Sequence, residues 1–140
     1  MVLADQLEEI GRRLGARESA QAEQLEHARK RASELHMRVR DGLEGFYRGC
    51  RDAGAAHLEI DLSQPRIDDK HLHSVQFDLA RGRHRMIVTV KSKGEVTLVG
   101  PFDAGKQEGP CRSFALEDDV AIDEGLGVVL SEFLELAFVP

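Results

Sequence analysis

The chain has 140 residues, 41% of them apolar, 31% charged and 5% aromatic, with a formal net charge of −6. That balance belongs to a folded protein with room for one compact domain, or for a smaller domain with an arm, and it argues against wholesale disorder. No apolar run approaches the roughly 18 residues needed to cross a bilayer, and the lack of Trp with a single Tyr disfavours a stacking platform for single-stranded nucleic acid.

From about residue 3 to about 52 the pattern is helical. Leu3, Leu7, Ile10, Leu14, Leu25, Ala28, Ala32, Leu35, Val39, Leu43, Phe46 and Cys50 fall on one line of the helix, within an arc of roughly 80° at about 100° per residue. A helix of that length is about 70 Å long, more than the diameter of a domain this size. A long apolar stripe has to be buried against something. Asp5 followed by Glu8 reads as a capping box, and Gly54 as a C-terminal stop. Between Gly15 and Gln24 the stripe passes through Arg17 and Gln21, so two readings are open. One is a continuous helix with a polar notch, the other an αα-hairpin broken near Gly15–Ser19. The stripe resumes on the same azimuth after an eleven-residue step, which favours the continuous helix. Gly42, Gly45 and Gly49 each cost a helix about 1 kcal/mol relative to Ala. They imply either close backbone packing on that face or an earlier helix end.

From His57 the period becomes two. Leu58, Ile60 and Leu62 alternate with His57, Glu59 and Asp61, as in a strand with one wet face. A loop follows through Gln64-Pro65-Arg66 and Asp68-Asp69. Val75, Phe77 and Leu79 form the inner face of a second strand, and Met86, Val88 and Val90 that of a third. With Gly82-Arg83 as a two-residue turn, Leu79 faces Met86, Phe77 faces Val88 and Val75 faces Val90. A three-residue loop, Ser92-Lys93-Gly94, then pairs Val90 with Val96, Val88 with Leu98 and Lys91 with Glu95. Slippage by one residue would turn Val96 and Leu98 to the wet face. Residues 100–115 read as loop with a short edge strand around Cys111–Phe114. A last helix from about Asp118 to Phe138 sets Ile122, Leu126, Val129, Leu130, Phe133, Leu134 and Ala137 along one side, with Asp118 and Asp119 at its electropositive start.

The expected architecture is therefore α+β. It has a helical arm (residues 1–54) and one α+β body (residues 55–140) of a four-stranded antiparallel meander with the C-terminal amphipathic helix packed on it.

Charge is unevenly divided. Residues 1–56 carry ten basic and ten acidic side chains, whereas residues 116–140 carry seven acids and no Lys or Arg. A basic partner surface would find its complement on that last segment. Cys50 and Cys111 sit in unrelated contexts without CxxC spacing, which suits free thiols. With no basic-then-apolar leader pattern at Met1, this leads to an expected cytoplasmic location.

The motifs that could carry chemistry are weak. Gly100-Pro101-Phe102-Asp103-Ala104-Gly105-Lys106-Gln107 matches GxxxxGK after a strand. However, Gln107 stands where a Ser or Thr would hold magnesium, and Glu108-Gly109-Pro110 stands where a helix must begin. A turn-rich loop explains it better. His71 and His73, with Asp68 and Asp69 nearby, have i, i+2 spacing for one strand face, but no third strong ligand is placed. Cys111 beside Arg112 lacks a placed base, Cys50 lies on the apolar stripe, and no Ser lies in a GxSxG elbow. The sequence therefore predicts no enzyme, no cofactor, no metal and no small-molecule substrate.

Arg81, Arg83 and Arg85 crowd one hairpin tip, which could grip phosphates or meet an acidic protein surface. The overall acidity makes nucleic acid the less favoured partner. The leading expectation is an assembly or adaptor module. It self-associates, as a dimer, through Leu3, Leu7, Ile10, Leu14, Leu25, Leu35 and Val39. It meets an unidentified protein partner through the arginine tip or through Asp123, Glu124, Glu132 and Glu135. The alternatives are a small acidic chaperone for a cytosolic client, or nucleic-acid binding through the Arg81–Arg85 hairpin.

Overall fold

The computed structural model describes residues 2–68, 73–105 and 109–139. The protein is α+β. A long helix α1 (Leu3–Asp52) leads into β1 (Asp61–Leu62), β2 (Arg66–Ile67), β3 (Ser74–Arg81), β4 (His84–Lys91), β5 (Glu95–Asp103) and β6 (Cys111–Ala115), and α2 (Asp119–Ala137) closes the chain. The sheet is antiparallel in the order β1-β3-β4-β5-β6, with β2 also paired to β3.

α1 runs unbroken through the polar notch, so the αα-hairpin reading does not hold. It starts two residues before the expected capping box: Val2 is the N-cap and no side chain caps it, while Asp5 lies inside the first turn. Its end agrees with the sequence, with Ala53 as C-cap and Gly54 following at φ +84°, the left-handed residue that terminates many helices. Gly42, Gly45 and Gly49 stay inside the helix. A Cβ at Gly42 or Gly49 would meet open space, so neither close packing nor early termination explains them.

The meander registers follow the apolar alternation. Val75, Phe77 and Leu79 pair with Val90, Val88 and Met86, and Val90 and Val88 pair with Val96 and Leu98. These eight side chains are fully buried, or nearly so, on one face of the sheet. The strand expected over residues 58–62 is shorter. Tyr47 Oη accepts from Ile60 N–H at 3.1 Å and donates to Ile60 C=O at 3.3 Å, so that residue's backbone is satisfied by α1 and only Asp61 and Leu62 enter the ladder. The loop expected at Gln64–Arg66 resumes pairing as β2. With β1 it forms one interrupted edge along β3, broken at Ser63-Gln64-Pro65, where Pro65 has no N–H to give. The sheet thus has six strands rather than four.

Both helices cover the same apolar face. The second half of α1 lies over β3 and β4 through Ala28, Ala32, Leu35, Val39 and Leu43, and α2 lies over β4, β5 and β6 through Ile122, Leu126, Val129, Phe133 and Ala137. They run side by side in the same direction. Arg38 reaches Asp123 at 2.8 Å and Asp119 at 3.3 Å near the start of α2, and Arg31 also pairs with Asp119. Phe46 meets Phe138 just past the end of α2, with ring centroids 5.5 Å apart. Asp118 caps α2, accepting from Ala121 N–H at 3.2 Å. The glycine that permits close packing is Gly125: a Cβ there would lie 2.5 Å from Phe114 Cζ, so the helix can approach β6 only without one.

Candidate interaction surface

The first half of α1 leaves the body altogether. Every residue from Val2 to Ala20 is exposed, and burial begins only at Gln21 and Leu25, both half-buried, and becomes complete at Ala28. The free segment from Leu3 to Gln24 is about 33 Å long. On it Leu3 is 67% exposed, Leu7 55%, Ile10 42% and Leu14 47%. Its polar side is laced locally, with Arg12 pairing to Glu8 at 3.0 Å and to Glu9 at 2.5 Å. These are exposed helix pairs of a few tenths of a kcal/mol each. Four apolar side chains on one line of an unsupported helix make the only such stripe among the described residues.

The stripe expected as one oligomer surface is in fact divided. Leu35 and Val39 are fully buried in the chain's own core and cannot meet another molecule. Leu25 is half-buried against the same core. Leu3, Leu7, Ile10 and Leu14 remain free. The cause is the extent of the sheet: after the return segment pinned by Tyr47, it folds back over α1 only as far as about Leu25, so equal helical positions have unequal fates.

The second expected surface is also redistributed. Arg81 Nη1 donates to Ala137 C=O at 2.5 Å and its guanidinium lies 3.7 Å over the Phe138 ring, so it caps the C-terminal end of α2 within its own chain. Arg83 sits exposed in the turn, and Arg85, paired with Ala80, projects from the opposite face of the sheet to Arg81. The three arginines do not form one patch. Asp123 is engaged by Arg38, while Glu124, Glu132 and Glu135 are exposed on α2. The Arg31 hydrogen bond holds the Asp119 carboxyl below its ordinary range, with a further contribution from Arg38. Sequence reasoning passed over this inter-helix cluster, because Arg31 and Arg38 read equally well as partners of nearby Glu side chains on α1.

His36 was also missed as a core residue. It is buried at the edge of the α1 stripe, its ring meeting Phe77 edge-on at 5.2 Å, and its Nε2 has no hydrogen-bond partner.

On the far face of the sheet, Asp68, His73, Ser74, Thr89, Lys91, Thr97 and Val99 line an open concavity of about 400 Å³. Thr97 Oγ1 and Ser113 Oγ lie 3.2 Å apart beside it. Asp69 and His71 of the suggested metal pair lie outside the described residues, as do Lys106 and Gln107 of the GxxxxGK match. What is described of that match is strand and turn: β5 runs on to Asp103, whose Cα is paired with His84 of β4. Among the described residues no group of three or more His, Cys, Asp or Glu side chains is placed to hold a metal ion. Cys50 is half-buried and Cys111 exposed on β6, both unbridged. No described helix is long and apolar enough to cross a membrane. Comparison with protein-family models, with curated proteins and with solved structures finds no match.

Proposed function

We propose that this protein is a non-enzymatic assembly module that self-associates through the free half of α1 and presents its α+β body to a protein partner. The observation that carries the reading is the exposed line Leu3, Leu7, Ile10 and Leu14 on a helix segment that touches nothing else in the chain. Such a segment is marginal in water. Continuation from the docked half of α1 spares it the nucleation cost, but Gly11 and Gly15 each weaken propagation by about 1 kcal/mol relative to Ala. A partner on the stripe stabilises both the apolar surface and the helix itself.

The energetics favour a reversible contact. Full burial of a Leu or Ile is worth about 1.5–3 kcal/mol, so four side chains near half exposure contribute about 5 kcal/mol per arm and about 10 kcal/mol for two. Association costs at least about 4 kcal/mol, which leaves at most about 6 kcal/mol and a Kd no tighter than tens of micromolar. The body's contribution is the exposed acidic side of α2, where Glu124, Glu132 and Glu135 suit a basic protein surface.

Sedimentation equilibrium tests the proposal. Leu7→Glu combined with Ile10→Glu leaves the core untouched and should convert a concentration-dependent mass into a constant monomer mass. A parent protein that stays monomeric at several hundred micromolar, or a double variant that associates as before, refutes it.

A further inference from the structure

We infer that the second copy lies antiparallel on the arm, with Leu3 of one chain against Leu14 of the other and Leu7 against Ile10. The inference rests on the self-association reading above and adds its sense and register. Three observations carry it.

The first is the spacing of the stripe. Steps of four, three and four residues separate Leu3, Leu7, Ile10 and Leu14, and this order is the same in either direction along the helix. A two-fold axis across the arm midway between Leu7 and Ile10 therefore brings all four apolar side chains of each chain onto those of the other. The flanks suit close approach: Ala4 and Gly11 are small, and Gln6 falls beside Arg13. Asp5, Glu8, Glu9 and Arg12 stay on the far side, where Arg12 is already paired within its own helix.

The second observation is azimuth. The free stripe and the buried one, Ala28 to Leu43, lie on the same side of one continuous helix, at about 100° per residue. A parallel partner helix lying along Leu3–Leu14 would continue up that side and meet β3 and β4, which already occupy it from Ala28 onward. Parallel pairing would gain an Arg13–Glu18 contact between chains, but an exposed ion pair of that kind is worth little beside a collision with the sheet.

The third is length. In the antiparallel register the partner's Leu3 lies level with Leu14, short of Gln21, the first half-buried position. The four apolar side chains of each arm thus meet those of the other before the body begins. The two bodies then stand at opposite ends of the paired arms.

The test is disulfide trapping in a Cys50→Ser, Cys111→Ser background, with Leu3→Cys and Leu14→Cys prepared separately. Neither position touches the core. In the antiparallel register identical positions are about 16 Å apart along the axis, being eleven residues out of step, and cannot bridge, since a disulfide needs α-carbons within about 7 Å. Mild oxidation should leave each preparation alone as single chains on a non-reducing gel and give a cross-linked dimer from the mixture. Cross-linking of Leu14→Cys by itself would show a parallel pair, overturning the inference while self-association stands. No cross-link in any preparation overturns the inference, and the parent's mass then locates the failure. A monomer removes self-association with it, and a dimer moves the contact off the arm.

Discussion

Leu7 and Leu35 are the same residue type on the same line of the same helix, and truncating each to Ala should affect entirely different measurements. Leu7 is 55% exposed and lies outside the apolar core of the chain. Leu7→Ala should leave the melting temperature of dilute protein within about 1.5 °C of the parent, as is usual for surface changes within about 0.5 kcal/mol. In the dimer the same change removes about 1 kcal/mol of apolar burial per chain, and symmetry doubles it. The Kd should rise about thirtyfold, since about 1.4 kcal/mol is a factor of ten. Leu35 is fully buried beneath β3 and β4. Leu35→Ala should cost about 3–5 kcal/mol, the range for a Leu truncated in a close-packed core. At about 3 °C per kcal/mol for a chain this size, the melting temperature should fall by about 9–15 °C.

The assay pairs thermal melts at low concentration with sedimentation equilibrium from about 5 to 500 µM, a range spanning the expected Kd. A Leu7→Ala protein that melts as early as Leu35→Ala would mean that the arm packs on its own body. A Leu7→Ala Kd equal to the parent's would mean that the stripe does not associate.

Three further outcomes test the body. Gly125→Ala should destabilise by about 1–3 kcal/mol in urea titration through its clash with the Phe114 ring, whereas Gly→Ala in a helix ordinarily gains up to about 1 kcal/mol; a net gain would refute the close approach of α2 to β6. Asp119→Asn should lower the melting temperature at pH 7. Because its folded pKa is depressed below the ordinary 3.8, the carboxylate's stabilisation is complete above that value and disappears as the pH falls through the folded one, so parent and variant should start to converge only below about pH 4 and meet once the pH is under the folded pKa. A difference that persists at low pH would assign the effect to something other than the Arg31 and Arg38 pairs. Arg81→Ala should cost about 1–2 kcal/mol by removing a charged hydrogen bond and a ring contact at the end of α2; unchanged stability would return Arg81 to the pool of surface charges.

The parts of the fold legible in sequence are those where a local period meets a unique burial. Val75 to Val90 and Val88 to Leu98 could pair in only one register without exposing a Val or Leu, and the structure has that register. The α1 azimuth held for the same reason. Two kinds of feature were not legible. Ile60 looks like a strand residue, but its backbone is claimed by Tyr47 Oη across 13 positions of sequence, a long-range hydrogen bond with no local trace. Leu35 and Leu7 carry identical helical signals, and nothing nearby states where the sheet stops covering α1. The candidate surface was thus half legible: the stripe could be read, but its division near Leu25 is set by the extent of the sheet. The arginine tip misled for a related reason. Gly82 and the strand pleat send Arg81 and Arg85 to opposite faces, and the C-terminal end of α2 supplies Arg81 with an acceptor that lies 56 residues away.

The polar notch between Leu14 and Leu25 connects these observations. An eleven-residue step advances close to three whole turns, so it keeps the arm's stripe on the side of α1 that the body occupies. A step of ten or twelve residues would turn the free stripe about 100° away from the sheet, and a parallel partner could then run past the body without obstruction. With the observed step, the stripe that folds the body and the stripe left over point the same way, so the body itself blocks the parallel arrangement. Arg17 and Gln21 keep α1 polar between Leu14 and the half-buried Leu25, so the exposed apolar line stops at Leu14. The same helix therefore builds an intramolecular core over its second half and leaves a short exposed apolar stripe over its first, the surface proposed for self-association.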